Sequence, residues 1–183
     1  MRIVAGSLKG RQIGNSAGTD IRPTSDRARA ALFNILLHHA GFTDFVGCSF
    51  LDGFCGSGAV GIEAFSRGAA RVFLVDIDTR VAAENLKRLD LVAAVKLLRN
   101  DLTKTLPVFA EGELVDFVFL DPPYGSGLAA AAVAQLDAGH WLGSGSIVIS
   151  EVERDEPLVE ISGFELLFNR TYGRARFDFW SRR

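Results

Sequence analysis

Short apolar runs alternate with stretches of helical periodicity along most of this chain, and the runs share a habit of ending in an acid. Residues 46–51 stop at Asp52, 72–75 at Asp76, 93–98 near Asn100 and Asp101, and 115–120 run into Asp121. Near-continuous apolar runs of this length fit strands buried on both faces. Residues 59–67 and 79–91 carry helical periodicity, 128–136 predict an alanine-rich helix, 103–110 a short helix or turn, and 146–150 a fifth strand. Strands and helices in alternation predict a parallel sheet with helices on both faces. The pattern then changes. Residues 164–169 and 175–180 read as two strands joined only by residues 170–174, and so short a connection makes an antiparallel hairpin.

Ahead of the first strand, residues 2–13 read as a short hairpin turning between Gly6 and Gly10. A helix follows to about His39. Thr24 or Ser25 can cap it, Asp26 suits its positive end, and Ala28, Ala31, Leu32, Ile35 and Leu36 form the buried face. One domain over residues 1–183 is expected, with 1–40 as an N-terminal extension and 41–183 as the core.

Composition narrows the class only a little. A chain of 183 residues with 48% hydrophobic and 23% charged residues is an ordinary globular domain. The net charge of −2 does not advertise a nucleic-acid binder. Local charge does more: over residues 1–29 the six bases Arg2, Lys9, Arg11, Arg22, Arg27 and Arg29 face only the acids Asp20 and Asp26. Such a segment is either a solvated arm or a phosphate-positioning one. Cys48 and Cys55 make no disulfide framework, and the latter fits the small space of a glycine turn better than the role of a reactive thiol. His38, His39 and His140 do not join cysteines at metal-ligand spacing, so no metal is expected. The N-terminus carries no apolar secretion segment, and there is no run of about 18 apolar residues. The expectation is a cytoplasmic monomer without a membrane partner.

The first strand leads into Asp52-Gly53-Phe54-Cys55-Gly56-Ser57-Gly58-Ala59-Val60-Gly61. A strand, a glycine turn and a helix form the first half of a nucleotide-type βαβ unit. Residues 56–61 match G-x-G-x-x-G, with Asp76 roughly 20 residues on, as in dinucleotide folds. The alternative is the S-adenosylmethionine loop, D-x-F-x-G-x-G, beginning at Asp52. A carboxylate at the strand end repels a pyrophosphate but attracts the sulfonium and ammonium groups of S-adenosylmethionine. Asp76 is placed to hold the two hydroxyls of a ribose. A tight turn with no ligand is the third reading, because glycine motifs match falsely often.

The fourth strand ends in Asp121-Pro122-Pro123-Tyr124. Ligands of open parallel sheets bind beyond the carboxyl ends of the strands, and Asp52, Asp76, Asp101 and Asp121 all fall there. The exocyclic amine of a nucleobase is a poor nucleophile, because its lone pair is delocalised into the ring. The Asp121 carboxylate and the Pro122 carbonyl can accept its two hydrogens, which favours lone-pair character on nitrogen and loosens the protons that must leave. Pro122 and Pro123 preorganise these acceptors, and Tyr124 can stack on a base that has left its helix. Methyl transfer would be an in-line displacement driven by alignment and electrostatics. The plain alternative is a Pro-Pro turn ending a strand.

These motifs and their flanks resemble a known family. Residues 52–58 look like the donor loop of class I S-adenosylmethionine-dependent methyltransferases. Residues 121–124 look like the signature shared by DNA adenine-N6, DNA cytosine-N4 and RNA guanine-N2 enzymes. Arg2-Ile-Val-Ala-Gly-Ser-Leu-Lys-Gly-Arg11, Arg22-Pro-Thr-Ser-Asp-Arg27, Leu32-Phe-Asn34 and Gly61-Ile-Glu-Ala-Phe-Ser-Arg-Gly-Ala69 together are similar to the RsmD-like family, over nearly the whole chain. The resemblance implies a Rossmann-like class I methyltransferase fold. That is an α/β protein with a mostly parallel seven-stranded sheet, a C-terminal antiparallel hairpin, and an N-terminal β-hairpin and helix. It implies methylation of N2 of one guanine in bacterial 16S ribosomal RNA, on the small ribosomal subunit or its assembly intermediate.

By resemblance, Asp52, Phe54, Gly56 and Gly58 line the methionine side of S-adenosylmethionine. Asp76 holds the ribose, Ile77 beside it belongs to the same donor site, and Asp101 with Leu102 borders the adenine. Asp121, Pro122, Pro123 and Tyr124 bind and orient the guanine. Arg22 and Thr24 close the site near the donor, and Arg2, Lys9, Arg11, Arg27 and Arg174 touch RNA. Gly53 and Cys55 stand where the family more often has a larger apolar residue and alanine, and Asp76 where glutamate is common. The rivals are a DNA adenine-N6 or cytosine-N4 methyltransferase, a nicotinamide-dependent oxidoreductase, and a nucleic-acid-binding module without catalysis.

Overall fold

The computed structural model of the chain describes residues 1–14, 25–39, 44–104 and 114–182. Strands β1 (Ser49–Gly53), β2 (Arg71–Asp76), β3 (Lys96–Arg99), β4 (Phe117–Leu120), β5 (Ile147–Glu153), β6 (Phe164–Tyr172) and β7 (Ala175–Arg182) form one sheet in the order β3-β2-β1-β4-β5-β7-β6. The first five are parallel, and β7 runs antiparallel between β5 and β6. The strand order reverses between β1 and β4, and crevices open at such switch points.

Strand pleating divides the core into two. Phe50, Phe117 and Phe119 point to one face, where α1 (Asp26–His39), α2 (Ala59–Ser66) and α3 (Arg80–Leu89) supply Leu32, Phe33, Leu36, Ile62 and Leu86. Leu51, Val118 and Leu120 point to the other, against Val133 and Leu136 of α4 (Leu128–Ala138) and Trp141. Phe33 stacks on Phe50 at 5.8 Å between ring centroids and meets Phe45 edge-on at 5.3 Å. Each such buried ring removes roughly 1.5–3 kcal/mol worth of apolar surface from water.

Several boundaries move from the expected ones, for local reasons. β1 begins at Ser49 because Gly47 takes a left-handed turn (φ +81°), and it continues through Asp52 to Gly53. Asp90, at φ +61°, ends α3 early, and a turn closed by Ala94 and Val95 on the Leu91 carbonyl delays β3. The C-terminal hairpin is tighter than predicted: residues 170–172 belong to β6, leaving only Gly173 and Arg174 at the turn. Ser25 caps α1 by accepting the Ala28 amide at 3.1 Å, while Thr24 lies outside the described residues. The N-terminal hairpin has one bridge, Arg2 to Gln12, supported by hydrogen bonds from Ile3 to Arg11 and from Gly10 to Ile3.

That arm lies along α2 and is held by one buried acid. Glu63 is fully buried and accepts the amides of Val4 (2.7 Å) and Ala5 (3.0 Å) and the Arg67 guanidinium (2.8 Å), with the buried Arg29 at 3.5 Å. Ser66, at the end of the same helix, accepts the Leu8 amide and donates to the Ala5 carbonyl. Removing the Glu63 carboxylate takes one of two acids from the buried Arg29, which keeps Asp26 at 2.9 Å, strips Arg67 of its partner and leaves the Val4 and Ala5 amides unpaired. Glu63→Ala should therefore cost about 3–5 kcal/mol in urea denaturation and expose residues 1–14 to proteolysis. A loss under 1 kcal/mol with an intact arm would refute this account of the docking.

Candidate functional site

The ends of β1, β2 and β4 converge on the glycine turn. At β1, Asp52 is only 2% exposed, and its carboxylate accepts the Gly61 amide of α2 at 2.8 Å. Burial pushes its carboxyl up to about 8; the Gly61 amide opposes this and the Asp76 carboxylate adds to it. Asp52 thus braces the turn through the Gly61 amide. Phe54, half-buried, holds φ at +57°, a conformation that costs a non-glycine residue about 1–3 kcal/mol. Gly56 and Gly58 follow at +51° and +75°. A Cβ on Gly58 would come within 2.7 Å of Leu74, and one on Gly61 within 2.3 Å, so these glycines set how closely α2 packs on β2.

Asp76 ties the turn to β2. Its two carboxylate oxygens accept the amides of Gly56 (2.8 Å) and Asp78 (2.9 Å). Ile77 beside it is 66% exposed, an apolar surface open at the rim. Asp101 accepts the Thr103 hydroxyl (2.7 Å) and amide (3.0 Å) and pairs with Lys104 at 3.2 Å. The Thr103 and Lys104 bonds hold its carboxyl below the usual range. Leu102, next to Asp101, is 2% exposed. Its side chain is buried in the α4-side core, where it and Leu120 occupy the space that a Cβ on Gly53 would need. That explains why a residue as small as glycine stands at position 53. Cys55 is buried, and burial raises its thiol far above the ordinary range, which disfavours the thiolate.

The second motif sits beside the first. The Asp121 amide reaches the Gly53 carbonyl at 3.4 Å, Pro122 is buried, and Pro123 and Tyr124 are exposed. The Tyr124 hydroxyl hydrogen-bonds Glu151, and burial followed by the charges of Glu151, Asp121 and Glu153 pushes it up to about 12. It is therefore a donor at neutral pH.

The basic residues do not converge on one place. Arg2, Lys9, Arg11, Arg27 and Arg174 are exposed. Arg174 lies at the β6–β7 turn, at the edge where the parallel strands end, because Ala175 pairs with Glu153 at the end of β5. Lys9 follows Leu8 at the C-terminal end of α2, and Arg11 reaches the Arg88 carbonyl near the end of α3. Both lie by the C-terminal ends of these helices, whereas the ends of β1 and β2 meet α2 at its N-terminal end. Arg22 and Thr24 fall outside the described residues. Sequence reasoning missed Glu63 and Asn85, and it counted Arg29 with the basic arm although that side chain is fully buried. Asn85 is 1% exposed and joins Gly14 of the arm to the Ser57 carbonyl of the glycine turn. A lone acid in the apolar helix 59–66 was the available signal for Glu63.

Strand order, glycine turn and the acids at the strand ends define a class I methyltransferase domain. The solved structure of yhhF from Escherichia coli matches with a TM-score of 0.78 at 28% identity, covering 100% of this chain and 97% of that one. Ribosomal RNA small subunit methyltransferase D of Haemophilus influenzae is 33% identical over 177 residues, 94% of this chain and 89% of that protein. The Escherichia coli K12 protein of the same name is 31% identical over 186 residues, 100% and 90% of the two chains. A family model described as conserved hypothetical protein 95 matches residues 1–181. The chain belongs to this family, the RsmD-like family. No described helix is long and apolar enough to cross a membrane, and no described cluster of three or more histidines, cysteines or acids could hold a metal.

Because the Asp52 carboxyl titrates near 8 when folded and near 3.9 when unfolded, the fold prefers its neutral form. Its contribution to stability is complete below about pH 4 and is lost as pH rises toward 8. Asp52→Asn should thus gain melting temperature relative to the natural protein from pH 5 to pH 8. A difference that stays constant with pH would count against the buried neutral carboxyl.

Proposed function

We propose that this protein transfers a methyl group from S-adenosylmethionine to the N2 amine of a guanine in small-subunit ribosomal RNA. One observation carries the reading: the amine-binding turn and the glycine turn are adjacent, since Asp121 bonds the Gly53 carbonyl and Leu120 pairs with Gly53. Donor and acceptor would meet over that seam. The relatives named ribosomal RNA small subunit methyltransferase D support RNA of the small subunit as the substrate.

The residues present fit this donor better than a dinucleotide. Asp76 puts an acid on the glycine turn before α2, where a pyrophosphate would need positive charge, and the buried neutral Asp52 supplies none. Asp76 would hold the ribose hydroxyls, exposed Ile77 would cover one side of the adenine, and Asp101 would accept from its amine. When bound, the donor supplies an electrophilic methyl group. The chain's own residues do the rest. Asp121 and the Pro122 carbonyl take the hydrogens of the guanine amine and turn its nitrogen toward the seam. Tyr124, 50% exposed, stacks on the base. The acids at the strand ends receive the proton that nitrogen loses. Alignment and preorganised charge supply the acceleration.

The test is labelled methyl transfer from S-adenosylmethionine to small subunits that lack the modification, followed by nucleoside analysis. The expected product is N2-methylguanosine. Asp121→Ala should reduce the rate by at least about 10²-fold while leaving donor affinity within a few fold. Label in another nucleoside, or full turnover by Asp121→Ala, would overturn the assignment.

A further inference from the structure

One acid at the same edge has had no part in the mechanism so far. β4 and β5 are parallel and in register through Leu120 and Ser150, so Asp121 and Glu151 follow side by side on strands about 4.8 Å apart. Pleating turns both away from the face of Leu120 and toward the face of Phe119 and Phe177, the residues paired with Asp52 and Glu151 respectively. Asp121, Glu151 and the braced Asp52 thus look onto the same side of the sheet. Glu151 is only 5% exposed. A carboxylate so buried needs a donor, and in this structure the Tyr124 hydroxyl provides one.

We propose that Glu151 is a specificity-determining residue that accepts the N1–H of the target guanine while Asp121 and the Pro122 carbonyl hold its N2 amine. The inference rests on the function proposed above and extends it from reaction type to choice of base. Guanine carries two kinds of donor side by side on one edge, the ring N1–H and the N2 amine. Two neighbouring acceptors match that edge. Adenine and cytosine carry a bare ring nitrogen next to their amine, and its lone pair would face the Glu151 carboxylate. The Tyr124 hydroxyl holds the position of the N1–H in the free protein. The entering base takes over that hydrogen bond, and the released ring is left to stack on it. A site whose buried acceptor loses its partner rejects the analogue by up to about 10⁴-fold.

The probe is small-subunit RNA in which the guanine that the natural protein labels is replaced by 2-aminopurine. That base keeps the amine but has a bare N1. The natural protein should prefer guanine by at least about 10²-fold in kcat/KM. Glu151→Gln can donate to a bare N1. It should lose guanine activity and narrow the preference to under about tenfold, with donor affinity unchanged. Glu151→Asp, which keeps the charge on a shorter arm, should lose guanine activity without gaining 2-aminopurine activity; this variant also serves if the glutamine protein does not fold. An unchanged guanine-to-2-aminopurine ratio in Glu151→Gln overturns the role of Glu151 while leaving the guanine reaction standing. A natural protein that labels no guanine at all removes both.

Discussion

The hydrogen bond from the Gly61 amide to the buried Asp52 carboxylate fixes the contact between α2 and the sheet, and the rest of the site is built on that contact. Gly58 and Gly61 let the helix press on Leu74, at distances where any Cβ would collide. With α2 held so close, the turn before it must fold back sharply, and Phe54, Gly56 and Gly58 take left-handed conformations to do so. Asp76 then reaches the Gly56 amide from the next strand. Three strand ends thereby share one small space. The same helix carries Glu63 and Ser66 on its other side, so the basic arm is registered against the element that forms the donor turn.

Charge at this edge is arranged with unusual economy. Asp52, Asp76, Asp101, Asp121 and Glu151 lie at the ends of parallel strands, and each is answered differently. Asp52 is buried until its proton stays on near neutral pH. Asp101 is satisfied by Thr103 and Lys104. Glu151 receives a hydrogen bond from Tyr124. The acids other than the neutral Asp52 suit a cationic donor and an amine-bearing base, and they disfavour the phosphates that the glycine pattern alone would have allowed.

Much of this was legible in the chain because parallel strands buried on both faces are written as continuous apolar runs, and their ends are marked by acids. The strand ends at Asp76 and Asp121, the α2 start and the antiparallel hairpin were all readable on that basis. Where β1 begins was not, because Gly47 breaks the run by a left-handed turn that an apolar count does not register. The burial of Asp52 and Leu102 was hidden for a different reason. Side-chain direction at a strand end depends on what packs above it, here Gly61 and the space left by Gly53. Glu151 was invisible since its meaning lies in the register of β4 on β5, which no local pattern encodes. The arm was recognisable as basic, yet its course down α2 toward Ser66 follows from hydrogen bonds to Glu63 and Ser66 that span 58 to 61 residues of sequence.

The central claim is that the glycine turn between Asp52 and Asp76 holds a methyl donor. Calorimetric titration of the protein with S-adenosylmethionine and, in parallel, with NADH tests it most directly. The account predicts saturable binding of S-adenosylmethionine, weakened by at least about tenfold in Asp76→Ala because a ribose partner is lost, and no binding of NADH. Binding of NADH with Asp76-dependent affinity, and none of S-adenosylmethionine, would contradict it.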